Sequence, residues 1–202
     1  MRNKFETELK MHLKTEFKSF SNMKVNKNEI VIKFDEANAL IGFSYLSKSM
    51  GYAIHSSVIM PALSHFYNEI SPPYRPNLFS GCVMAMSSEQ ESNKSFSNRI
   101  VSLPDNDEKI MNACLLITEK IKTEYLLRIE KLVKLEIEAI DDILDNPDYY
   151  AYPFLTILYI IKKNNVIPDK INLELILSKR ITGRKTFDKE LLSEYLSTYN
   201  KI

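Results

Sequence analysis

In 202 residues the chain has no tryptophan, four glycines, two cysteines and three histidines. Four scattered glycines leave no loop that could cradle a phosphate, so neither a P-loop nor a dinucleotide-binding fingerprint is present. Cys82 and Cys114 lie far apart and in no metal-ligand spacing, which rules out a cysteine zinc site and a disulfide framework. Two buried thiols in a reducing compartment are expected, with a single disulfide as the alternative. Gly81-Cys82 is not a protease signature, and no Gly-x-Ser-x-Gly elbow exists. His55 and His65 flank a candidate strand with no carboxylate cluster beside them, and His12 sits among lysines and reads as surface. No metal, no cofactor and no catalytic residue is therefore assigned, and an enzyme is the less favoured class.

Long apolar runs are missing too. None approaches the roughly 20 residues of a membrane span. Residues 1–20 alternate charged with apolar positions and lack the apolar core of a secretory signal. A cytoplasmic location without membrane attachment is expected. The formal charge of +1 carries no whole-chain signal for nucleic acid.

What is present is ordinary for a folded protein: 45% apolar and 26% charged residues, in a chain long enough to bury a sizeable core. Charge is unevenly spread. Residues 1–28 carry seven bases against three acids, 105–148 twelve acids against six bases, and 162–189 eight bases against three acids. Within the last segment Lys179, Arg180, Arg184 and Lys185 surround Gly183. Such a loop can contact phosphates, but no aromatic interleaving accompanies it, and a solvated helix end is the preferred account.

Phe5, Leu9, Leu13, Phe17 and Phe20 form a helical stripe over 3–20. Asn22, Asn26 and Asn28 supply turns. Alternation at Ile30, Ile32 and Phe34, then Ile41, Phe43 and Tyr45, then Tyr52, Ile54, Ser56 and Val58 describes an antiparallel meander. Residues 62–70 fit either a strand extension or a short helix. SPPYRP at 71–76 is an extended, polyproline-like loop. Short strands are expected at 82–86 and 99–103, with a polar, serine-rich surface loop over 87–98 between them. Asp105 to Glu108 reads as a capping box. The apolar stripe that follows shifts at Leu126, which either one bent helix or two helices would explain, and it continues to Asn146-Pro147. Residues 154–161 are apolar nearly all round, the mark of a buried helix. Helical patterns over 168–180 and 187–199 close the chain. The expectation is one α+β domain over 1–202: an N-terminal helix, an antiparallel β-meander (β-rich part 29–103) and a C-terminal helical layer (105–202).

One stretch carries a candidate binding site. Glu138, Asp141, Asp142, Asp145 and Asp148 recur at helical spacing, and Tyr149, Tyr150 and Tyr152 follow at once. Tyrosine joins apolar area to a hydrogen-bonding tip at little entropic cost, which suits an interface hot spot. Acids around exposed tyrosines suit a basic protein partner. The alternative is that Asp145 to Asp148 merely cap two helices and the tyrosines fill the core.

The run Asp148-Tyr149-Tyr150 ahead of Pro153, preceded by carboxylates, resembles the acidic Tyr-Tyr-Pro element by which colicin DNase immunity proteins hold their toxins. Here the proline comes three residues after the tyrosine pair instead of directly after it, and those proteins are all-helical bundles. The layout of helix, meander and helical layer is also similar to α+β immunity proteins of bacterial polymorphic toxin systems. The resemblance implies a protein-binding module, an immunity-type inhibitor that would use Asp141, Asp142, Asp145, Asp148, Tyr149, Tyr150 and Tyr152. From a different class, an enzyme or small-ligand protein would show a pocket between sheet and helices. Nucleic acid is not an expected partner, and oligomeric state is not legible.

Overall fold

A computed structural model describes residues 1–78, 81–89, 100–165 and 172–199. The protein is α+β, with an N-terminal helix, an antiparallel β-meander and a C-terminal helical layer. Its residues gather into two compact units, each built from two stretches of chain: Met1–Val58 with Ala85–Ile129, and Ile59–Met84 with Glu130–Ile202.

The first unit opens with helix α1 (Arg2–Glu16), which buries Phe5, Leu9 and Leu13 along one stripe. Strands β1 (Met23–Val25), β2 (Glu29–Lys33), β3 (Asn38–Leu46) and β4 (Gly51–Ile59) follow. In the β2–β3 hairpin Ile30 faces Ile41 and Ile32 faces Ala39, and all four are buried. β1 was not expected from its flanking asparagines. It forms because Asn26 closes a tight turn, its N–H donating to the Glu29 carbonyl at 2.8 Å and its amide to the Glu29 carboxylate at 2.9 Å. β4 takes β3 on one edge and shares the other between β5 (Met84–Ser87) and β6 (Val101–Ser102). Tyr52, Ile54, Ser56 and Val58 are buried on one face of β4 as the alternation required. The Phe5 ring meets Tyr52 edge-on at 5.1 Å, which seats α1 on the sheet.

Helix α3 (Asp107–Lys120) starts one residue later than the capping box implied. Asn106 is the N-cap and accepts the Lys109 N–H at 2.9 Å, while Asp105 pairs with the Lys109 ammonium. A π-helical stretch, Ile121–Leu126, then leads into α4 (Leu127–Val133). A π turn holds more residues than an α turn, so it rotates the apolar face. That is the shift visible in the sequence at Leu126. The stripe is not continuous to Asn146 as expected: Leu135 adopts φ +54, which ends the helix, and α5 spans only Ala139–Asp145.

The second unit holds α2 (Pro61–Ile70), α5, α6 (Pro153–Asn164), α7 (Leu173–Ile176) and α8 (Lys185–Tyr199). Pro61 settles the ambiguity at 62–70 in favour of a helix, because its fixed φ and missing N–H suit the first helical position. Helix α6 is buried at every position from Pro153 to Ile161, since α2, α5 and α8 all pack against it. Pro147 opens only a single 3₁₀ turn, Pro147–Tyr149, and Pro153 opens the next helix instead. The helix expected over 168–180 is reduced to the short α7 in its described part, and 168–171 lie outside the described residues. So does most of the loop expected at 87–98. Cys82 precedes β5 and is only half-buried, not the buried strand thiol expected.

Candidate functional site

The acidic stretch is divided by the fold. Asp141 and Asp142 occupy the first turn of α5, where carboxylates face the positive end of the helix dipole. Asp142 is turned inward in role: it accepts from the Asn146 amide at 3.1 Å and from the Tyr150 hydroxyl. Asp141, Asp145 and Asp148 are exposed. The tyrosines are not presented with them. Tyr150 is fully buried and Tyr149 nearly so, because the segment 150–151 is bridged to Met84 and Val83. Tyr152 is half-buried between the Tyr67 ring at 5.0 Å and the Tyr74 ring at 5.8 Å, and burial pushes its hydroxyl above the ordinary tyrosine value. The expectation of exposed tyrosines ringed by carboxylates is corrected. The stretch offers an acidic ledge over a tyrosine core.

A concavity lies in the first unit, between α1 and α3. Lys4 binds Asp107 at 2.6 Å, and Glu16 binds Lys122 at 2.7 Å just past the end of α3. Both bridges join like ends, so the helices run parallel, and the pairs bound a groove about 18 Å long at the usual helical rise. Its volume is 480 Å³, within the range of about 300–1,000 Å³ typical of ligand sites. Ile110 and Cys114 line it from α3 as buried residues, and the exposed thioethers of Met11 and Met111 wall it. Leu115, one turn beyond Met111, is exposed as well.

Three polar features tune this groove. Glu8 lines it and has no cationic partner among the described residues. Cys114 is held protonated: burial, with Glu8 adding to it, pushes the thiol up to about 11, the direction opposite to that of a reactive thiolate. His12 lines the groove but its Nε2 is buried without a hydrogen-bond partner among the described residues. The residue as a whole is half-exposed, so the surface position expected from its lysine neighbours holds in part.

The remaining sequence candidates are placed separately. His55 is half-buried on β4, within 3.4 Å of the Ser44 hydroxyl, and burial lowers its value. His65 is exposed on α2 and paired with Glu69 at 3.2 Å. Cys82 and Cys114 are not joined in a disulfide. No cluster of three metal-ligating side chains occurs among the described residues, and none of their helices is long and apolar enough to cross a membrane.

Searches against protein-family models, curated proteins and solved structures returned no match to this chain.

The groove was not found by sequence reasoning, because it depends on which helices become neighbours. One signal was present. Met111 sits at the edge of the α3 stripe and Met11 on the face of α1 opposite its buried stripe, both more apolar than a solvated position requires.

Proposed function

We propose that the protein is a protein-binding module and that the groove between α1 and α3 receives an amphipathic helix of its partner. The observation that supports this most is a three-turn groove with an apolar floor, two exposed methionine walls and one unpaired carboxylate, Glu8. Methionine adapts to varied apolar shapes, which suits a groove that takes side chains from another helix. The charges at both ends already neutralise one another. Glu8 is the exception, and an incoming Lys or Arg would complement it. The expected partner segment therefore carries an apolar stripe at i, i+3 or i+4 and i+7, with a basic residue beside it. An immunity-type inhibitor, the role implied by the resemblance, is one instance of such a module. On that account Asp141, Asp145 and Asp148 form a separate acidic surface that speeds encounter with a basic protein.

A displayed library of helical peptides selected on the full chain tests this. The expected outcome is enrichment of amphipathic, basic helical sequences that lose at least tenfold in affinity toward Met111→Glu and several-fold toward Glu8→Gln. Selection of peptides that bind both variants as well as the parent, or failure to enrich any helical peptide, contradicts it.

A further inference from the structure

A second, smaller pocket lies in the other unit, of 60 Å³, room for a few waters or one small anion. Tyr74, Arg75 and Asn77 contribute from the proline-rich loop, and Arg180, Thr182 and Gly183 from the segment before α8. The basic cluster noted in the sequence thus acquires Arg75, which is distant in the chain.

Both arginines are presented by anchored backbone. On one side of Arg75 the Tyr74 hydroxyl donates to Asp188 at 2.7 Å. On the other, Asn77 donates its N–H to the Ala151 carbonyl at 2.8 Å and its side-chain amide to the Pro147 carbonyl at 3.3 Å. Arg180 is fixed by donation to the Asp145 carbonyl at 2.5 Å, which engages one nitrogen of its guanidinium and leaves its other donors available. Gly183 allows the loops to close, since a Cβ there would lie 2.2 Å from the Tyr74 ring.

The cations around this pocket are not matched one to one by carboxylates among the described residues. Among the described residues Arg75, Lys179, Arg184 and Lys185 form no ion pair, and Arg180 donates to a carbonyl rather than a carboxylate. The buried Asp188 carboxylate is already engaged at both oxygens, accepting from the Tyr74 hydroxyl at 2.7 Å and from the Arg184 N–H at 3.2 Å. Arg75 and Arg180 both line this small pocket, and paired guanidinium N–H donors are well suited to a tetrahedral oxyanion.

We propose that this pocket binds the phosphate dianion, free or as the end of a small phosphate monoester. The site is independent of the α1–α3 groove, so either can fail without the other. Isothermal titration of the full chain with inorganic phosphate, and separately with glycerol 3-phosphate, at matched ionic strength against chloride, tests it. Saturable binding of one equivalent is expected, weakened at least tenfold in Arg75→Gln. That arginine is exposed and makes no contact that folding needs, so the variant retains the parent's thermal midpoint. Arg180→Gln should weaken binding as well and also lower the midpoint, because it frees the Asp145 carbonyl. Tighter binding of inorganic phosphate than of glycerol 3-phosphate identifies the free anion as the ligand, and the reverse identifies a monoester. Heat no different from chloride with both probes, or affinity unchanged in Arg75→Gln, overturns the proposal.

Discussion

The Tyr52 hydroxyl donates to the Glu6 carboxylate at 2.9 Å, tying the first helix to the fourth strand. Arg2 and Lys27 reach the same carboxylate at 2.9 and 3.1 Å, so a glutamate that is 5% exposed has three partners. Burial alone would raise the Glu6 carboxyl, but these hydrogen bonds outweigh it and hold it below the ordinary glutamate value. A carboxyl that is lowered on folding stabilises the protein above its unfolded value, and that contribution drains away as pH falls through the folded one. Glu6→Gln should therefore lower the urea midpoint at pH 7, with the difference from the parent shrinking below about pH 4.

Tyr52 gives the alkaline counterpart. Burial and the Glu6 bond push its hydroxyl up to about 12. A raised acid contributes stability that is complete below its ordinary value near 10 and lost as pH climbs toward 12. Tyr52→Phe should cost about 1.5–3 kcal/mol at neutral pH, the range for a hydrogen bond to a charged group. The variant should also lose less stability between pH 10 and 12 than the parent, as read by denaturant titration at each pH.

Gly183→Ala should destabilise the second unit. Its Cβ would overlap the Tyr74 ring, and that ring is held by Asp188, Tyr152 and Phe187. Overpacking of this kind costs about 1–3 kcal/mol. Adding Tyr74→Leu to Gly183→Ala should recover part of the loss, a coupling that a double-mutant cycle in thermal denaturation measures.

The acidic ledge and the tyrosines beneath it should respond differently. Tyr150→Phe removes a hydrogen bond from a fully buried ring to Asp142 and should cost about 1.5–3 kcal/mol. Asp148→Lys changes an exposed charge and should leave the unfolding midpoint within about 0.5 kcal/mol of the parent. Equal losses in the two variants would place Asp148 in the packed structure.

The meander was legible because alternation at Ile30, Ile32, Ile41 and Ile54 reflects a geometry each strand dictates on its own. The buried helix α6 was legible for a similar reason: only a helix surrounded by others is apolar on all sides. The π-helical stretch left a trace at Leu126, but one phase shift fits a bend, a break or an extra residue equally. Tyr149, Tyr150 and Tyr152 could not be assigned to surface or core from sequence, since tyrosine is stable in either place and the 150–151 bridge to Val83 and Met84 is long-range. The α1–α3 groove was invisible for the same reason. It lies between helices that meet across more than a hundred residues of chain, as the Lys4–Asp107 and Glu16–Lys122 pairs show.

The groove is best tested at its own walls. With ¹³C-methyl-labelled methionine, an enriched amphipathic peptide should shift or broaden the Met11 and Met111 signals. Buried Met60, Met84 and Met86 should stay unchanged. Alkylation of Cys114 by iodoacetamide at pH 8, already slow for a buried thiol, should slow further with the peptide bound. If the peptide binds while Met11 and Met111 stay unmoved, the groove is not the binding surface.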